Sequence, residues 1–154
     1  MRGVTLLVAV ILSSVVLSVA LALLDVAYKQ QLLASTAKQS QYAFYNADTV
    51  MECALYWDQR QNAFDYTSPL ASGSVTCKNL PLLNYVSSLN GSTRTTTFNV
   101  TCSGSDVRGT MTIVKTNGSS FCAGTSYSCL YATGYSSCDA TDPRRIERGL
   151  KVLY

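Results

Sequence analysis

The sequence predicts an α+β protein in which one long N-terminal helix, with a transmembrane half and an amphipathic half, packs against an antiparallel sheet of about four or five strands. Three observations carry this expectation. Val4 to Leu24 is an uncharged, mostly apolar run. Helical spacing then continues from Asp25 to about Asp58 with no Pro and no Gly. Beyond that point the texture changes to Thr, Ser, Gly and Tyr in short alternating segments. The parts so defined are a leader, 1–3, a membrane span, 4–24, an amphipathic helical half, 25–58, and a β domain, 59–154.

About 20 apolar residues at a rise of roughly 1.5 Å each cross a bilayer core of about 30 Å, so Val4 to Leu24 is long enough to span one. In the next stretch Leu33, Ala37, Phe44, Ala47, Met51, Ala54 and Trp57 supply apolar or small positions. Lys29, Gln30, Lys38, Gln39, Gln41 and Asp48 supply the polar ones, which is the pattern of an amphipathic helix. Ala43, Ala47, Val50, Ala54 and Trp57 form one stripe at steps of three and four. This stripe is expected to face the sheet, because small side chains let two layers approach closely. A helix of more than fifty residues is about 80 Å long. The remaining hundred residues cannot cover it, so its free half needs partners elsewhere.

Strand-like segments follow at Gly73 to Lys78, Thr95 to Cys102, Val107 to Thr116, Tyr127 to Thr133 and Arg145 to Tyr154. Period-two alternation turns Phe98, Val100 and Cys102 inward on one, and Val107, Met111 and Ile113 inward on another. The short linker Ser103-Gly104-Ser105-Asp106 makes these two a hairpin. Pro81 and Asn90-Gly91 interrupt the segment before them, where Leu82 to Leu89 is expected to form one short helix.

All six cysteines, Cys53, Cys77, Cys102, Cys122, Cys129 and Cys138, follow the span, and the chain has no His. An even number with no Cys-x-x-Cys pair argues for disulfides in an oxidising compartment and against a zinc site. Cys53, on the edge of the packing stripe, is the expected partner of Cys77. Everything after the span is thereby placed outside the cytoplasm.

The residues offer little chemistry. Without His the commonest general base is missing, and no G-x-S-x-G, P-loop or dinucleotide fingerprint occurs. Asp48 and Glu52, one helical turn apart, read as a solvated face. No catalytic residue, metal or cofactor is expected, and the chain reads as a non-enzyme. Arg144, Arg145, Arg148 and Lys151 are the candidate surface for nucleic acid or a surface polymer. A net charge of only +3 and the interleaved Asp142 and Glu147 weigh against it, since alternating charges also suit an exposed edge strand.

Arg2-Gly3 before Val4-Thr5-Leu6-Leu7-Val8 resembles the cleavage site of the type IV pilin and type II secretion pseudopilin superfamily. Ala43-Phe44-Tyr45-Asn46-Ala47-Asp48 resembles a segment in the amphipathic helix of one minor-pilin group. The resemblance implies cutting between Gly3 and Val4 by a prepilin peptidase and methylation of the new amine. It implies single-pass insertion in the inner membrane with the C-terminal domain outside, then assembly with other pilin subunits into a type IV pilus or a secretion pseudopilus. Small or hydroxyl side chains at Thr5, Ser13, Ser14 and Ser18 would serve helix contacts in the span. Two positions depart from the pattern. Val8, the fifth residue after the cut, stands where most pilins carry Glu, and Asp25 stands where they carry Pro. A subunit without that Glu cannot neutralise a neighbour's amine in the apolar core, which points to a minor subunit, with the filament tip as the position most tolerant of the loss. Two other readings of the residues stay open. Ala20-Leu21-Ala22 fits a conventional signal-peptide site, and a single span fits an anchored or secreted binding or adhesion module acting alone.

Overall fold

With neither Pro nor an interior break to stop it, helix α1 runs from Arg2 to Gln61, three residues past the expected end. It stops at Asn62, whose φ of 47° is left-handed, a conformation that Asn tolerates better than most side chains. The Ala63 N–H then closes onto the Trp57 carbonyl at 3.0 Å. The computed structural model describes residues 2–77, 80–102, 106–118 and 120–154. Met1 of the leader, Lys78 of the first expected strand and the turn residues Ser103, Gly104 and Ser105 lie outside them. The chain forms two compact units, Met1–Lys38 and Gln39–Tyr154.

In the first unit every described side chain from Val4 to Lys38 is exposed. An eighteen-residue stretch reaches a mean hydropathy of 2.8, so this helix is long and apolar enough to cross a membrane. Just beyond the apolar run, Asp25 and Lys29 pair at 2.8 Å across one helical turn.

In the second unit, five strands form an antiparallel meander in chain order: β3 (Leu83–Asn90), β4 (Thr93–Thr101), β5 (Val107–Thr116), β6 (Ser128–Tyr135) and β7 (Glu147–Leu153). A two-stranded ladder, β1 (Thr76–Cys77) with β2 (Leu80–Pro81), follows a 3-10 turn at Ser72–Ser74. The first expected strand thus shrinks to two described residues. The helix expected at Leu82 to Leu89 is instead strand β3. Its hairpin to β4 turns at Asn90-Gly91, where Gly91 has a φ of 58° at the first loop position, the position a type II′ turn reserves for glycine.

One face of the sheet covers the second half of the helix. Ala43, Ala47, Val50 and Ala54 are 0% exposed. Above them lie Phe98 and Val100 of β4, Met111 and Ile113 of β5, and Leu130 and Ala132 of β6, all buried. Each large apolar side chain so buried stabilises the fold by roughly 2 kcal/mol. Phe64, past the helix end, stacks on Phe98 with ring centroids 5.5 Å apart. Val107 and Cys102, expected inward, are only half-buried. A register shift between Val100 and Thr101 re-aims the end of β4 and buries Thr101 instead.

The closest approach of helix to sheet falls at Gly134. A Cβ there would lie 2.7 Å from the Ala47 Cα and nearer still to the Ala43 carbonyl oxygen. Glycine in this strand interior is therefore required by packing.

Candidate functional site

The residues that could act divide into three places: the exposed helix, the base of the core and the open face of the sheet. On the helix, Gly3 and Val4 lie in the first turns and Val8 is 47% exposed. The Ser13, Ser14 and Ser18 hydroxyls donate to the carbonyls of Val10, Ile11 and Val15 at 2.8 to 2.9 Å. Their donors are used within the helix, which leaves small, self-satisfied positions among exposed Val, Leu and Ile. The side chain of Thr5 lies outside the described residues. In the second unit Tyr42, Phe44, Tyr45 and Tyr56 remain exposed on the helix faces that the sheet leaves uncovered.

Trp57, the last member of the packing stripe, is half-buried at the foot of the core and donates its Nε1–H to the Thr76 carbonyl at 2.8 Å. Beside it Cys53 is bonded to Cys77, the expected pair. Cys102 bonds Cys138 and Cys122 bonds Cys129, so no cysteine is free. Among the described residues no group of three His, Cys, Asp or Glu side chains could hold a metal ion.

A buried ionic cluster at the base of the core was not legible in the sequence. Asp58, 2% exposed at the helix end, has its Oδ1 2.6 Å from the Lys115 Nζ on β5, while its Oδ2 accepts from the Tyr154 hydroxyl. Burial, reinforced by the hydrogen bond to Asp58 and its charge, pushes the Tyr154 phenol far above its usual range. Three residues far apart in sequence thus clamp helix, strand and C-terminal segment together. Buried charges persist only when paired in this way. Lys115 shares the inward parity of Met111 and Ile113, but only the packing of β5 and the C-terminal segment against the helix end brings it to Asp58, and spacing along the chain carries no trace of that meeting.

The basic residues do not converge. Arg144 is exposed and 4.0 Å from Asp142. Arg145 lies over the Tyr135 ring, 3.7 Å from its centroid. Arg148 donates its Nε to Ser40 Oγ on the helix at 2.8 Å. Lys151 sits 5.2 Å from the Tyr131 ring. Arg148 shares the inward parity of Leu150 and Val152, so Lys151 points to the opposite face of β7. Arg145 and Lys151 therefore lie over the open face, on Tyr135 and Tyr131 of β6, while Arg148 turns to the helix.

The open face holds a cleft of about 270 Å³ lined by Asn99, Asp106, Thr110, Tyr135 and Arg145, with the Cys102–Cys138 bridge joining the segments that frame it. Sequence reasoning singled out Arg145 alone, because the rest meet only through the register of three strands. Compared with family models, with curated proteins and with solved structures, the chain matches none.

Proposed function

We propose that this protein is a structural subunit, a minor pilin or pseudopilin, that enters a type IV pilus-like or secretion filament through its N-terminal helix. One observation carries the reading. A single helix, Arg2–Gln61, exposes apolar side chains along its first part and buries an alanine stripe under a β-sheet along its last. Such a helix serves as a membrane span before assembly and as a packing surface after it, since apolar side chains leaving lipid must meet other apolar side chains. Three disulfides suit a domain on the extracytoplasmic side of the inner membrane. Partners on this reading are other pilin subunits and a prepilin peptidase that cuts after Gly3. The absence of an acid at Val8 makes it a sparse or tip subunit.

The test uses the native host. Gly3→Val should leave an uncut precursor in the inner membrane and remove the protein from sheared surface filaments, whereas immunogold should mark wild-type filaments sparsely or at their ends. Normal processing and export of Gly3→Val would refute the proposal. Even labelling of the whole shaft, at the density of its main subunit, would refute the minor role alone.

A further inference from the structure

We propose that the cleft on the open face of the sheet binds one neutral pyranose ring of a glycan. It lies on the face averted from the helix, at the end of the sheet where the β4–β5 and β6–β7 connections emerge. Asn99 of β4 and Thr110 of β5 are register partners there, and Tyr135 of β6 stands beside them.

The strongest indication is the guanidinium of Arg145. It is stacked on Tyr135, its Nη2 reaches the Val107 carbonyl only at 3.4 Å, and its Nε is buried with no partner. The Nε is closed off from a ligand, but the guanidinium end is held by one long bond and lines the cleft, so its Nη donors have room to meet a ligand oxygen there.

The charge around the guanidinium selects the ligand class. Asp106 lines the same cleft. Asp139 also feels Arg145: its carboxyl is held below the usual range mainly by the Thr141 hydroxyl and N–H, with the Arg145 charge adding to this. One cation facing two carboxylates gives no net attraction for an anion. What remains is a set of planar groups, a guanidinium, an amide and a carboxylate, that can donate to or accept from adjacent hydroxyls in pairs. Vicinal diols on a sugar ring match that set, and the Arg145–Tyr135 stack supplies a flat wall for the ring. A volume of about 270 Å³ falls below the roughly 300 to 1,000 Å³ typical of larger small-molecule sites, so the cleft has room for one ring with the rest of the glycan outside.

The inference does not depend on the filament reading, because a free-standing binding module would use the same cleft. The test is titration of the full chain in detergent with the methyl glycosides of glucose, galactose, mannose and N-acetylglucosamine, read by NMR chemical shifts, with methyl glucuronate as the charged comparison. At least one neutral glycoside should bind with Kd of about 1 mM and shift the Asn99 and Thr110 amides. Asn99→Ala and Asp106→Ala, both at the surface, should each weaken it about tenfold with melting temperature unchanged. No binding by any neutral glycoside, binding confined to the glucuronate, or binding indifferent to both variants would overturn the proposal.

Discussion

Single residues decide how closely the layers of this protein meet. Gly134→Ala puts a methyl group into the helix backbone at Ala43 and Ala47. Overpacking of this kind should cost about 3 kcal/mol, seen in chemical denaturation of the detergent-solubilised chain. Lys115→Met should cost about as much, because it leaves the buried Asp58 carboxylate with the Tyr154 hydroxyl alone. At the surface, hydrogen bonds from the Thr67 hydroxyl and N–H and from the Ser68 N–H hold the Asp65 carboxyl down at about 2, against 3.8 ordinarily. Since the folded state depresses this group, its stabilisation is present above about pH 4 and fades as pH falls towards 2. Asp65 is partly exposed, so the effect should stay below about 1 kcal/mol. Asp65→Asn should flatten that part of the acid limb in thermal melts, and an unchanged limb would contradict the assignment.

At the scale of elements, disulfides and hairpins set the frame. The Cys53–Cys77 bridge closes a loop with a sequence separation of 24, worth about 3 kcal/mol in the chain-entropy picture. A Cys53→Ala, Cys77→Ala double variant should lose about that much in denaturant unfolding. Peptide mapping without reductant should recover all three bridges, and different pairings would contradict the fold of the β domain. The hairpin of β4 and β5 was legible because Phe98 and Val100, and Met111 and Ile113, alternate at period two around a polar turn. The helix packing stripe was equally legible in the spacing of Ala43, Ala47, Val50 and Ala54. Strand β3 was not. Leu82, Leu83, Val86 and Leu89 fall at near-helical spacing, but a register shift between Leu83 and Val86, with Asn84 at a φ of 52°, breaks the alternation a strand would show. Tyr85 then turns towards the core, where its ring lies 6.3 Å from Phe98. The ionic cluster and the open-face cleft were hidden for a related reason, since both depend on which strands become neighbours and in what register.

For the whole molecule, composition and the apolar N-terminal stretch set the broad class. No His, few charges and six cysteines pointed to a disulfide-bonded β domain behind an apolar helix, and the fold has three bridges and one helix long and apolar enough to cross a membrane. What the N-terminal helix does was not fixed by its apolarity, because a filament subunit, a signal peptide and a plain anchor share it. The three differ in one covalent fact, the first residue of the protein in its native membrane. N-terminal sequencing with intact mass measurement reads it directly. The filament account predicts a chain that begins at Val4 with a methylated amine. A chain beginning at Leu23, or one still carrying Arg2 and Gly3, would contradict it.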